Sequence, residues 1–205
     1  MADKRKTKMS DEHYALLLER FKGHAAEIGH IAFMWNGIHA KLGEFFETFL
    51  EPADKKLARA IWETLKSDRA QRETLREAAL VRLAKHADLL ADFCWLISET
   101  ERLSTARNDA LHAAYVFSWG QGVSAHYRVP PGRASRLKDK DLLREFQAYR
   151  DDLNELRCFA IGLHLSLRAI LGGKGLSQSL PERPSLRAFP PAKNSETKSR
   201  PDNKK

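Results

Sequence analysis

"YALLLERFKGHAAEIGHIAFMWNGIHAKLGEFFETF", residues 14–49, decides the fold. Tyr14, Phe21, Ile28, Trp35, Leu42 and Phe49 recur every seven residues. Leu17, His24, Ile31, Ile38 and Phe45 fill the intervening position. An apolar stripe of period 3.5 is the seam of a long helix that packs on other helices. A second row adjoins it: Ala25, Gly29, Ala32, Asn36, His39 and Gly43. Small side chains let another backbone come close, so this helix is expected to be covered on two sides, with Gly23 or Gly37 as places for a kink. Its length also offers a face to a second copy of the chain.

Working outward, Pro52 can open a second helix over about 53–66, with Leu57, Ile61 and Leu65 on one face. Ser67 or Asp68 can cap a third, running to about Lys85. A fourth starts near Ala87 and carries Leu89, Phe93, Leu96, Leu103 and Ala110. After His112 the period changes from helical to alternating. "YVFSW" and "VSAHYRV" flank "GQG", which predicts a β-hairpin at about 115–129. A last helix is expected over about 138–171, ended by Gly172 and Gly173. The pattern predicts a mainly α fold, an antiparallel bundle of four to five helices with a small inserted β-hairpin, occupying residues 11–173.

The formal charge of +8 on 205 residues belongs to the two ends. Residues 1–10 carry four basic and one acidic side chain, and residues 174–205 eight basic and three acidic. The body between them has 23 of each sign. Both ends are read as disordered, the second being rich in proline and poor in large apolar residues. Such tails add sequence-independent attraction to phosphate, whereas the neutral body does not demand a basic groove. No apolar run reaches the roughly 18 residues that a bilayer requires, so no membrane association is expected. The basic N-terminus has no apolar segment behind it and does not read as a secretory signal. Cys94 and Cys158 stand singly in helical patterns, as small core residues of a reduced, cytoplasmic protein. There is no CxxC, HExxH, P-loop, GxGxxG after a strand, or GxSxG, so no metal or cofactor is expected.

What carries chemistry is "RNDALH", residues 107–112, at the end of the fourth helix. RNA can be cut when one group moves the 2′-hydroxyl proton and another stabilises charge on phosphorus. A histidine suits the first task near neutral pH. An arginine suits the second, because its planar fork pairs two oxygens and keeps its charge. An asparagine beside it can donate to the same phosphate or orient the imidazole. On an ideal helix Arg107 and His112, five apart, point about 140° away from each other, so a cleft between two protomers is the easier way to join them.

An arginine followed by a polar residue and then a histidine, on a helical bundle, resembles the motif of HEPN ribonucleases. That resemblance covers six residues and a fold class. It implies a four-helix bundle that dimerises and cuts RNA without metal, often within toxin–antitoxin or defence systems. It would make Arg107 the phosphate-holding group, Asn108 its assistant and His112 the acid or base. Arg157 and His164 repeat the pairing on the last helix, but in an apolar segment and without the polar residue.

A second polar group adds to the first. Asn36 and His39 share a face of the first helix, and Asp68, Gln71 and Arg72 fall on neighbouring turns of the third. They either complete a site with "RNDALH" or form a hydrogen-bond network between helices, the latter being the simpler expectation. The competing reading of the whole chain is a non-catalytic interaction module, antitoxin-like or part of a scaffold, in which Arg107, Asn108 and His112 are structural.

Overall fold

The computed structural model describes residues 11–51, 54–118, 122–126, 137, 140–173 and 179–187. They form α1 (Asp11–Phe49), α2 (Lys55–Thr64), α3 (Asp68–Arg82), α4 (Ala87–His112), β1 (Ala114–Ser118), β2 (Gly122–His126) and α5 (Leu142–Leu171). The chain is therefore a helical bundle with one inserted antiparallel hairpin.

The ends of the helices follow local chemistry. Asp54 accepts from the Lys56 N–H at 2.8 Å, and Ser67 from the Ala70 N–H at 3.1 Å. Asp141 accepts from the Arg144 N–H at 3.2 Å, so α5 begins at Leu142 and not at the expected 138. Each side chain satisfies an amide that the first helical turn leaves without a partner. At the other end Gly173 takes the left-handed conformation (φ 70°) that stops α5.

Both rows of the period-3.5 seam enter the core, but only along part of α1. Ile31, Trp35, Ile38, Leu42, Phe45 and Phe49 are each at most 2% exposed, whereas Tyr14 is more than half exposed. The reason lies in the partner helix. Gly23 of α1 is the level at which Leu143, at the start of α5, comes against it, so the residues before it run past the end of α5. The helix continues unbroken through Gly23 and Gly37. Gly43 is needed for contact, since a Cβ there would lie 3.1 Å from Trp62 Nε1 on α2.

The relative directions of the helices depart from a simple antiparallel arrangement. α4 is antiparallel to α1, with Trp35 meeting Arg107 and Phe45 meeting Phe93. It is also antiparallel to α5, with Leu103 meeting Tyr149 and Trp95 meeting Phe159. α1 and α5, the two longest helices, run in the same direction: Gly23, Glu27, Gly37 and Thr48 meet Leu143, Arg150, Arg157 and His164 in turn. α4 thus runs against both of them, and the hairpin lies between α4 and α5 along the chain.

The hairpin pairs Ala114 with His126 through Ser118 with Gly122. The Tyr115 ring lies between Phe21 of α1 (5.4 Å) and Phe146 of α5 (6.1 Å), which anchors the hairpin to the bundle. Residues 127–129, assigned to the second strand from the sequence, lie outside the described residues.

Two expectations are corrected. Residues 179–187, placed in a disordered tail, form an extended strap on α4 and α5. Arg187 pairs with Asp152 (2.8 Å), Arg183 with Asp92 (2.7 Å), and Pro181 rests 3.2 Å from the position of a Cβ on Gly162. Leu180 and Leu186 pack against the core, and these apolar and paired contacts offset the entropy that otherwise leaves such a sequence unfolded. The other residues of 174–205, and residues 1–10, lie outside the described residues. Cys158, expected in the core, is exposed, because it falls on the outer face of α5 beside buried Phe159. No helix among the described residues is long and apolar enough to cross a membrane.

Candidate functional site

The junction of α1, α3 and α4 collects most of the polar residues that the sequence singles out. Its floor is the indole of Trp35, 2% exposed. The His39 ring, one turn further along α1, lies 4.9 Å from the indole. The Arg107 guanidinium lies 5.8 Å over it from α4. A cation over an indole face is attracted by the ring quadrupole. Arg107 is also tied to its neighbour, its Nη1 donating to Asn108 Oδ1 at 2.9 Å. Its Nε is buried and has no hydrogen-bond partner among the described residues.

From α3, Asp68 places Oδ2 3.6 Å from His39 Nε2, close enough for an electrostatic pull but beyond hydrogen-bond length. Gln71, beside them, donates weakly to the Trp62 carbonyl at 3.4 Å. Burial holds the imidazole below its usual pKa. Asp68 and Gln71 pull it back up, and Arg72 and Arg107 push it further down. His39 Nε2 has no hydrogen-bond partner among the described residues.

Arg72 is 7% exposed, and its Nη1 too has no partner among the described residues. Desolvation lowers its pKa, opposed by Glu101 and Asp68. Neither carboxylate lies within ion-pair distance of it. A guanidinium in that state has given up water without gaining a direct counter-charge.

Not every expected residue joins this group. Asn36 is exposed and lies outside it. His112 is also exposed, on the last turn of α4, and makes no hydrogen bond or ion pair with another described residue. Arg107, five residues earlier, turns inward to Trp35. Within one chain the imidazole that accompanies Arg107 is therefore His39.

Two features were passed over in the sequence. The first is Tyr149, on the apolar stripe of α5 and 2% exposed. Its hydroxyl donates to the Leu103 carbonyl of α4 at 2.9 Å. In a regular α-helix that carbonyl also accepts from the Arg107 N–H. The hydroxyl thus ties α5 to α4 one turn before the residue whose side chain reaches Trp35. Only the position of a tyrosine among leucines could have hinted at this.

The second is His164, set aside as a chance repeat of the motif. It is buried, with Nε2 3.0 Å from Thr48 Oγ1 and Nδ1 3.4 Å from Glu44 Oε2. Lys41 pairs with the same Glu44 oxygen. Burial, helped by Lys41 and Arg168 and opposed by Glu44 and Glu51, pushes the imidazole down to about 4. Thr48 also donates to the Glu44 carbonyl, so its hydroxyl proton is committed to the backbone. That is the pattern of a helix-joining network.

Among the described residues no group of three or more His, Cys, Asp or Glu could hold a metal ion. Comparison with protein-family models, with curated proteins and with solved structures returns no match to this chain.

Proposed function

We propose that the chain is a metal-independent endoribonuclease of the HEPN type, with Arg107 on the scissile phosphate and His112 moving the proton. The observation that carries this reading is the state of Arg107. Its guanidinium is fixed by Trp35 and Asn108 and still has one buried N–H with no partner among the described residues. Preorganised donors aimed at developing charge are the largest single contribution to many enzymatic accelerations.

In the proposed reaction a base takes the 2′-hydroxyl proton and O2′ attacks phosphorus. The P–O5′ bond breaks, and an acid returns a proton to O5′, leaving a 2′,3′-cyclic phosphate. His112 is exposed on the last turn of α4, five residues and about 140° of ideal helical rotation from Arg107 of the same chain. The complete site is then shared by two copies, each pairing its Arg107 with the other's His112.

Purified full-length protein incubated with single-stranded RNA in EDTA is expected to yield cyclic-phosphate ends. His112→Ala is expected to lower the rate at least a hundredfold. Equal background cleavage by both proteins removes the proposal.

The alternative, a non-catalytic interaction module, draws on the same Arg107–Trp35 stacking as a way to join helices. It needs His112 for packing, and an exposed side chain contributes little packing. It predicts a lowered melting temperature for His112→Ala, where the nuclease reading predicts a change within about 2 °C.

A further inference from the structure

Three buried side-chain nitrogens at the α1–α3–α4 junction have no hydrogen-bond partner among the described residues: His39 Nε2, Arg72 Nη1 and Arg107 Nε. We propose that these three side chains form a binding site for a singly charged phosphate group, as in a phosphodiester. The inference deepens the ribonuclease reading by adding Arg72 and His39 to the substrate-binding surface, but it requires no bond to be broken.

Buried donors are almost always satisfied, and three exceptions in one place call for a common cause. Two of the three are neighbours of one ring, since His39 and Arg107 both lie against the Trp35 indole. The third, Arg72, lies within electrostatic reach of His39 and is more than nine-tenths buried. A permanently charged guanidinium calls for an anion more than for water. The three side chains come from three helices, α1, α3 and α4. A tetrahedral oxyanion with several lone pairs meets that arrangement better than a flat carboxylate.

The neighbours limit the charge that the site will accept. Asp68 stands 3.6 Å from His39, and Glu101 lies within electrostatic reach of Arg72. Two carboxylates beside two guanidiniums leave little surplus positive charge. A dianion would be repelled where a monoanionic diester is tolerated. Gln71 and Asn108 flank the site and supply neutral amides.

The test uses the full chain. Its melting temperature and the His39 ring resonances are followed while inorganic phosphate below pH 6.5, or a short single-stranded RNA, is added against chloride at matched ionic strength. Saturable stabilisation with a shift of the His39 signals is expected. A response to RNA at concentrations well below those of inorganic phosphate assigns the group to a nucleic-acid backbone. A response to phosphate at the same or lower concentrations assigns it to a free anion, and both support the site. Arg72→Met and Arg107→Gln should each weaken the response at least tenfold. Arg59→Gln, an exposed arginine on α2, should leave it unchanged.

Should Arg72→Met fail to fold, the wild-type His39 titration decides alone. Phosphate and chloride acting alike overturn the proposal, as does undiminished binding by a folded Arg72→Met protein. Binding that these variants abolish in a protein with no RNase activity keeps the site and removes the nuclease.

Discussion

Arg72 and His164 are buried polar residues that answer the cost of burial in opposite ways. Arg72 keeps its charge without an ion pair among the described residues, and that should show as lost stability. Replacing a buried charge by an apolar side chain of similar length is often neutral or stabilising. Arg72→Met is therefore expected to be more stable by about 1–3 kcal/mol in phosphate-free buffer, read from the midpoint of urea unfolding. His164 instead gives up its charge. Its pKa in the folded chain is about 4, below the roughly 6.5 of an unfolded chain, so unfolding takes up a proton wherever the pH lies between those values. The stability that its neutral form contributes is complete above about pH 6.5 and is lost as the pH falls towards 4, to the extent of about 2–3 kcal/mol. His24 and His39 are also lowered and add to the same acid limb. His164→Gln can still bond Thr48 but does not titrate, so its melting temperature should fall less between pH 7 and pH 4.5 than that of the wild type.

At the scale of the element, α4 is set by one hydroxyl from α5. Tyr149→Phe removes the donor to the Leu103 carbonyl and should cost about 1–2 kcal/mol in a denaturant melt. How much of this was legible in the sequence depends on where the information lies. α1 was readable because its period runs without interruption, and the start of α3 because Ser67 caps it locally. Asp68, Gln71 and Arg72 share neighbouring turns of α3, which the sequence shows, but the meeting of His39 with Asp68 is a contact between two helices that helical spacing does not specify. Nor was the exclusion of Asn36 readable, because the width of the buried stripe depends on which helix covers it. Tyr149 was not readable either, since only the tertiary fold brings residues 103 and 149 together. The parallel course of α1 and α5 likewise follows from the number of chain reversals between them, to which hydrophobic period is blind.

For the whole molecule, the strap of residues 179–187 is the feature that composition hid. Ion pairs of Arg183 with Asp92 and of Arg187 with Asp152 and Glu145, with a few apolar side chains, order a segment whose proline content argued for the opposite. Its main polar anchor is Asp152, 6% exposed, which receives both the Arg187 backbone N–H (3.2 Å) and its guanidinium (2.8 Å). The Arg187 carbonyl in turn accepts from Arg102 at 2.8 Å, which links the strap to α4. Arg187→Ala leaves the buried carboxylate with the backbone N–H, and because Arg187 is partly exposed the expected loss is only about 1–2 kcal/mol, checked by urea unfolding. Gly162→Leu, which places a side chain where Pro181 rests, should free the strap from α5 and raise the accessibility of Trp95 to a fluorescence quencher.

The strap is joined to the end of α5 by only a few residues, from Gly173 to Ser179. It therefore behaves as a ligand held at millimolar effective concentration, a level that turns even weak intrinsic affinity into near-complete occupancy. Cutting that short tether would convert an internal contact into an ordinary bimolecular equilibrium. A synthetic peptide of residues 179–187 added to a chain ending at 178 would then measure, as a dissociation constant, how strongly this surface of the bundle holds its own C-terminal segment.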